Sequence, residues 1–409
     1  MRALYDMRDN WKKAQTAAIK AAADAINALP EPGVSDYKAR LKSALAVYRA
    51  VGETERRYVD NYSTLASAIA LVGGEEALDS DAPYITSISV TKAPNKTRYY
   101  GGERFDKTGM VVTARYSDGS KKEITDYKVS ETGELALTTD TVYIYYGILK
   151  TSVSVEVREK MPWDGEGTED DPYIIKTPDD IVDLYRYVSV KKMVTAGVHF
   201  KLAADLNLKN ISDWRGIADN VAAGFRGHFD GNGHSVWNMN GSTYNANGFF
   251  GKLGDGALIE NLTIASGSLG GSYNTSIGGI AGSVAENSTV TVKNCHNYAD
   301  MSGSFGIGGI VGFVDGGAFV NIENCSNHAV IKSSYTGGGI IGQVGENRRK
   351  DNGARAKIVN CYNTGKLAGM GSWGLGGIVG SFRTGGKTLE NVIENCYNTG
   401  IVPELETAG

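Results

Sequence analysis

A mainly β, multidomain chain is what these 409 residues predict: a three-helix bundle, then an immunoglobulin-type β-sandwich, then a right-handed parallel β-helix with a capping helix. Three observations predict it. Apolar residues step by three or four through the first 75 positions, as on one face of a helix. From Ile85 to Val157 the period switches to two, as in half-buried strands. Beyond residue 159 a short unit copies itself at nearly fixed spacing, which means one structural element stacked on itself.

The helical module is expected to span residues 1–75. Leu4, Met7, Trp11, Ala14, Ala18, Ala21, Ala25 and Leu29 form the first stripe, which Pro30-Glu31-Pro32-Gly33 stops. Ser35 is placed to cap a second helix carrying Leu41, Leu45 and Tyr48. A third, from Thr54, carries Val59, Tyr62, Leu65, Ile69 and Val72 before Gly73-Gly74. Residues 76–84 read as a linker, and residues 85–158 as the sandwich. Its strands are Ile85-x-x-Ile88-x-Val90, Val111-Val112-x-Ala114-x-Tyr116, Val142-x-Ile144-x-Tyr146 and Val153-x-Val155-x-Val157. Ser117-Asp118-Gly119-Ser120 is the hairpin turn between two of them, and the sandwich has no disulfide.

The β-helix occupies residues 159–409. Gly279–Gly282, Gly309–Gly312, Gly339–Gly342 and Gly377–Gly380 read Gly-Ile-(Ala/Val/Ile)-Gly, at spacings of 30, 30 and 38 residues. Each precedes Asn-Cys-x-Asn, at Asn294–Asn297, Asn324–Asn327, Asn360–Asn363 and Asn395–Asn398. A degenerate copy leads, with Gly248-Phe249-Phe250-Gly251 and Glu260-Asn261-Leu262-Thr263. From Ile307 to Thr336, three runs (Ile310–Val314, Phe319–Ile322, His328–Ile331) predict a triangular coil, and coils stack about 4.8 Å apart. The repeated glycines are expected to supply positive φ at the corners. Asn before each Cys is expected in left-handed geometry, bonded to the next coil. Thr177-Pro178-Asp179-Asp180, then Ile181, Leu184, Tyr185 and Val188, predicts a capped helix covering the open end.

The same residues carry three resemblances. Ala25-Ile26-Asn27-Ala28-Leu29-Pro30 and Asn61-Tyr62-x-x-Leu65 look like the FIVAR-type helical module of bacterial surface proteins. Tyr99-Tyr100-Gly101-Gly102-Glu103-x-Phe105-Asp106-x-Thr108-Gly109-Met110 resembles bacterial Ig-like domains of group three, which recur as spacers in surface proteins and secreted glycan-active enzymes. The repeats resemble the GLUG repeat of Gram-positive surface proteins, including regions that flank immunoglobulin-A peptidases. Their lead-in, Trp163-Asp164-Gly165 to Pro172-Tyr173 and then Phe225-Arg226-Gly227-His228-Phe229-Asp230-Gly231, is similar to the usual start of such regions. That resemblance implies a fold, not an activity. Together the three imply a cell-surface, cell-wall or otherwise extracellular location.

Composition narrows the function classes. A net charge of −4 exerts no strong pull toward nucleic acid, and no run of 18 apolar residues exists to span a membrane. The N-terminus lacks the apolar stretch of a signal peptide and Leu405–Gly409 is no sorting signal, so the chain is expected to be an internal piece of a longer surface protein. Cys295, Cys325, Cys361 and Cys396 occur once per coil at one position, which predicts a ladder of buried free thiols. In-register stacking suits disulfide geometry poorly and spreads ligands too far for zinc. No metal and no cofactor is expected.

Candidate chemistry is sparse. Gly306-x-Gly308-x-x-x-Gly312 and Gly374-x-Gly376-x-x-x-Gly380 recur with no following helix, so they read as corner glycines rather than phosphate loops. None of His199, His228, His234, His296 and His328 lies in His-Glu-x-x-His, so the peptidase chemistry of some repeat-bearing proteins is not carried here. His228 and His234 flank the Asp230-Gly231-Asn232-Gly233 turn and are expected to stabilise it. Asp164, Glu166, Glu169, Asp170 and Asp171 form an acidic loop whose spacing matches no calcium site. Asp315 and Glu394 lie in different coils at different positions, so no carboxylate pair is expected for lyase or hydrolase chemistry. The best candidate is the longer third coil, whose excess lies in Gln343 to Lys357. Arg348, Arg349, Lys350 and Arg355 there, with Trp373 on the next corner and Tyr335 and Tyr362 nearby, would suit an acidic glycan or an acidic protein patch.

The expected function is therefore non-catalytic adhesion or ligand binding, by a monomer, with a glycan or a host or other extracellular protein as ligand. Two alternatives stand beside it. One is an accessory region that targets a catalytic domain outside this stretch to a glycan. The other is a polysaccharide lyase or hydrolase on the β-helix itself.

Overall fold

A computed structural model describes residues 2–243, 246–271, 276–345, 353–369, 373–383 and 390–403. It forms two compact units, Met1–Lys160 and Met161–Gly409, and is mainly β.

In the first unit, helices α1 (Arg2–Asn27), α2 (Tyr37–Arg49) and α3 (Tyr62–Leu71) contribute to one core that includes Ala22, Ile26, Tyr37, Leu41, Leu45, Leu65 and Ile69. The buried face of α1 overlaps the predicted stripe only in the second half of the helix and just past it, where Ala18, Ala25 and Leu29 pack against this core. Ala22 and Ile26 are inside, whereas Met7 and Trp11 are 68% and 56% exposed. Length explains this, because α1 has 26 residues against 13 and 10, so its first turns run past its partners. Asp36, not Ser35, is the N-cap of α2, and its carboxylate accepts from the Arg40 side chain at 2.6 Å instead of capping the helix. Helix α3 starts at Tyr62, after a separate 3-10 turn at Arg56–Tyr58, rather than at Thr54. Another 3-10 turn, Glu75–Asp79, buries Leu78 among the helices, so the expected linker is packed at its start.

Ile85–Lys92, Val111–Tyr116 and Lys121–Ile124 form an antiparallel sheet, closed by the predicted turn, where Gly119 has φ +85° and Ser120 N–H donates to Asp118 Oδ1 at 2.9 Å. Lys128–Val129, Thr141–Tyr146 and Leu149–Ser154 form a second antiparallel sheet. The run Val153 to Val157, expected as one strand, is split. Its first part ends at Ser154, Val155 N–H donates to Asp140 O, and Glu156–Arg158 continues as a parallel partner of Arg98–Tyr100. Val112, Ala114 and Ile144 fill one core of this module, and Tyr99, Leu135, Val142 and Val155 another.

The second unit is a stack of parallel sheets of the kind a β-helix builds. One turn of the stack runs through five short strands, not three: Ile277–Gly278, Ala281–Val284, Thr289–Lys293, His296–Asn297 and Asp300–Gly303. Each pairs in register with its copy 30 residues on, as in Ile277 with Ile307, Val292 with Ile322 and Asn297 with Asn327. The first two sheets in this order are the glycine sheets, the third is the long sheet and the fourth the asparagine sheet. The predicted run Ile310–Val314 is broken because Gly309-Ile310 makes a bend between the two glycine sheets.

That bend gives the repeat glycines a different role from the one expected. Gly308, Gly309 and Gly312 do not have positive φ. They are glycine because backbones meet there. A Cβ on Gly308 would lie 2.0 Å from Val311 O and 2.5 Å from Gly342 N, and one on Gly309 would lie 2.0 Å from Gly339 O. Positive φ is supplied by other glycines, Gly306, Gly317, Gly345 and Gly374 among them, as expected, and by asparagine: Asn294, Asn324, Asn360 and Asn395 lie at +52° to +55°. Three of these side chains join in a ladder, Asn324 Nδ2 donating to Asn294 Oδ1 at 3.1 Å and Asn360 Nδ2 to Asn324 Oδ1 at 3.1 Å. A second, buried ladder runs through Asn297, Asn327 and Asn363, with amide-to-amide bonds of 2.8 and 2.7 Å. The four thiols are free, and the amide N–H of Cys295, Cys325 and Cys361 each meets the next Sγ at 3.4 Å.

The N-terminal end of this core is aromatic, with Phe200, Phe225, Phe229, Phe249 and Phe250 buried, while later coils use Val, Ile and Leu. Helix α4 (Pro178–Tyr185) adds Ile181 and Leu184 to the same core. Thr177 and Asp180 make the predicted reciprocal cap, and Trp163 Nε1 donates to Asp180 O at 3.0 Å.

Candidate functional site

Trp373 is the predicted residue around which a surface assembles. It stands just before the glycine-rich bend of its coil, and its N–H donates to Tyr335 O at 2.9 Å. Register puts Tyr335 at the same position one coil back, since Thr336 pairs with Gly374, and Phe305 one further back, since Ile307 pairs with Gly337. Three aromatic rings thus occupy one site in three successive coils. Tyr335 and Trp373 have ring centroids 5.1 Å apart, and Phe305 meets Trp373 edge-on at 5.6 Å. The Arg383 guanidinium lies 4.7 Å from the Trp373 centroid, within cation–π range, and Phe313 extends the cluster from Phe305 at 6.4 Å. Trp373 remains 48% exposed.

The other predicted members do not gather there. Arg348, Arg349 and Lys350 lie outside the described residues. Arg355 opens the strand Arg355–Val359 of the long sheet, and its guanidinium covers the ring of Phe319, its register partner, at 5.2 Å. Between Arg355 and Trp373 the coil passes through Tyr362–Asn363 and Leu367–Ala368. Tyr362 belongs to the asparagine sheet, stacked on Tyr397 at 5.0 Å. Phe305, Phe313 and Arg383 were not anticipated. A signal for the first existed, because Phe305, Tyr335 and Trp373 each stand four residues before the first glycine of Gly-Ile-x-Gly.

The histidines separate. His234 Nδ1 lies 3.2 Å from Asp205 Oδ1, which also accepts from Ser235 N–H, so it braces the turn as expected. His228 turns instead to the face of the long sheet. Its Nδ1 is 3.1 Å from Nδ1 of His199, its Nε2 is 2.6 Å from Glu260 Oε1, and Lys293 Nζ holds Glu260 Oε2 at 2.9 Å. Burial, then the neighbouring His228, pushes His199 below the ordinary histidine value. Among the described residues, no group of three or more His, Cys, Asp or Glu is arranged to hold a metal ion. In the acidic loop, Asp164 pairs with Lys176 at 2.5 Å. No helix among the described residues is long and apolar enough to cross a membrane.

Residues 92–157 form a bacterial Ig-like domain of group 3 by their match to that family. A protein of Evansella cellulosilytica, provisionally named a Gly-rich membrane protein, is 34% identical over 107 residues, 24% of this chain and 12% of that protein. Pectate lyase L of Thermoclostridium stercorarium is 38% identical over 89 residues, 21% of this chain and 7% of the enzyme. Halomucin of Haloquadratum walsbyi is 31% identical over 163 residues, 36% and 2% of the two chains. The chain thus spans 12% or less of the length of these curated relatives. A solved structure from Bacteroides ovatus, provisionally named an immunoglobulin A1 protease, matches with TM-score 0.40 and 23% identity over 57% of this chain and 77% of that one; a likeness at that TM-score carries no argument.

Proposed function

We propose that the chain is part of a surface or secreted protein whose stacked sheets, a right-handed β-helix with GLUG-type repeats, present a non-catalytic binding face to a glycan. The FIVAR-like helical module and the Ig-like domain serve as stalk. The observation that carries this reading is the row Phe305, Tyr335, Trp373, set at one position of three successive coils. Aromatic faces stack on the apolar faces of sugar rings, and the three rings pack into one cluster that leaves Trp373 about half exposed to offer such a face. Arg383, held over Trp373, supplies a cation for an acidic substituent. An extracellular location is supported by the Ig-like domain and by relatives whose names include a membrane protein and a halomucin.

A glycan array probed with the full chain, with and without calcium, tests the reading. Trp373→Ala is expected to cost about 2 kcal/mol, roughly thirtyfold in Kd, as for an aromatic anchor. Unchanged binding by this variant, or binding only to proteins and to no glycan, overturns it. The accessory-region reading, in which the same face brings a catalytic domain to its glycan, is favoured by the match to 7% of a pectate lyase. It is met by the same binding with no product released.

A further inference from the structure

We propose that a slot between Trp237 and Tyr298 is a second binding site, taking one pyranose unit of a neutral glycan between two aromatic side chains. The proposal deepens the glycan-binding reading and rests on it, at a place apart from the Trp373 cluster.

Register builds the slot on the outer side of the asparagine sheet. Val236 pairs with Ile264 and Ile264 with Asn297, so Trp237, Ala265 and Tyr298 follow at one position of three successive coils. The ladder runs on through this position, Ala265 N–H donating to Val236 O and Tyr298 N–H to Ile264 O, both at 2.8 Å. Trp237 and Tyr298 are 45% and 47% exposed. Ala265 between them still meets solvent, so neither ring seals the floor of the slot.

The next coil fixes the direction in which Tyr298 faces. Its ring stacks on His328 with centroids 4.4 Å apart and planes at 7°, close to the spacing of adjacent coils. The phenol ring therefore lies across the stack axis. His328 covers one of its faces, and the other is turned toward Ala265 and Trp237. Two coil spacings, about 9.6 Å, separate Trp237 from Tyr298. A flat aromatic guest would fill only about 7 Å, two contacts of about 3.5 Å each. A pyranose chair is thicker, because its ring hydrogens stand on both sides, and it brings a C–H face to each aromatic at once.

The rim carries the groups that sugar hydroxyls need. Ser235, Thr263 and His296 line up beside the slot, two residues before its members and so on the same outer face. Asn240, Ser268 and Asp300 line up across the corner, on the sheet that follows. The hydroxyls of Ser235, Thr263 and Ser268 bond to no group among the described residues and so stay open to a ligand.

Charge selects the ligand class. Within 235–240, 263–268 and 296–300 the one carboxylate is Asp300, whose Oδ1 already accepts from Val330 N–H at 2.8 Å, and there is no Lys or Arg. Asp205 and Lys209 lie on the coil before and Lys332 on the coil after, so the surroundings hold two charges of each sign. Burial keeps His296 and His328 below the ordinary histidine value, which leaves both uncharged at neutral pH. Such a balance gives a uronate no advantage over a neutral sugar.

The test uses the full chain on an array of neutral, N-acetylated and uronate-containing oligosaccharides, then titration calorimetry with the best neutral binder. Trp237→Ala and Tyr298→Ala are each expected to weaken that binder about tenfold or more. Ala265→Tyr sets a third ring into the slot against Tyr298. It is expected to abolish binding while the melting temperature holds or rises, an outcome that a merely structural role for these residues would not give. If all three slot variants bind as the parent does while Trp373→Ala does not, the slot proposal falls and the Trp373 cluster stands. If the slot variants alone weaken binding, the cluster falls and the slot stands in its place. Preference for uronates over every neutral glycan overturns the slot. If the unaltered chain binds no oligosaccharide, both fall.

Discussion

Gly308 has no room for a methyl group, and that single fact accounts for the most visible pattern in the sequence. Gly308→Ala is expected to destabilise the stack by about 3 kcal/mol or more, because Val311 O and Gly342 N are backbone atoms that cannot swing aside. Gly270→Ala is the matched control: its φ is ordinary and its nearest neighbour stands at 3.6 Å, so stability is expected within about 1 kcal/mol of the parent. Thermal melts of the two variants decide it, and equal melting temperatures would refute the steric account. The sequence made the glycines obvious but not their reason. A contact between backbones far apart along the chain leaves no periodicity to read, whereas the left-handed asparagines follow from local chemistry and were foreseen. The same distinction applies at the cysteines, whose one place in each coil predicted a ladder and whose burial at Cys295, Cys325 and Cys361 follows from it.

Among the elements, those with local signals were legible and those decided by neighbours were not. Helix α4 was readable because its reciprocal cap lies within four residues. The face of α1 was not, since it depends on where two shorter helices end. Of the candidate site, Trp373 and Tyr335 meet each other, but Arg355 and Tyr362 sit on other sheets because a coil has five strands where three were counted. The asparagine sheet carries a testable consequence of its own. His296 Nδ1 lies 2.8 Å from Ser326 Oγ, Ser326 Oγ lies 2.9 Å from His328 Nε2, and Tyr298 stacks on His328 at 4.4 Å. Burial lowers both histidines from their ordinary value of 6.5, and His296 lowers His328 further. A depressed folded value means that the unfolded chain takes up protons first. Stability is therefore full above the ordinary value and lost as pH falls through the lowered ones. Melting temperature is expected to drop between about pH 7 and about pH 5, and less so in a His296→Gln/His328→Gln double variant. An identical drop in that variant would remove these residues as the cause.

For the molecule as a whole, the second unit behaves as a one-dimensional array in which each coil contacts mainly its neighbours. Hydrogen exchange is expected to be slowest at Val290, Val292, Val320 and Ile322, which are fully buried between neighbouring coils, and faster at Val392–Glu394, where Ile393 is 47% exposed. Uniform protection along the stack would contradict this. The Ig-like domain was recognisable at this scale from one run of residues, and the stack of parallel sheets from its repeat. The register that repeats from coil to coil also decides how the unit answers tension. Its ladder bonds point along the stack, and neighbouring copies are 30 residues apart along the chain. A pull on the two ends of such a coil loads the bonds of the outermost turn alone, then those of the next. The unit would pay out like thread from a spool, about 100 Å of extended chain for each turn released. Steady yielding under drag is thus a mechanical property of the parallel register itself.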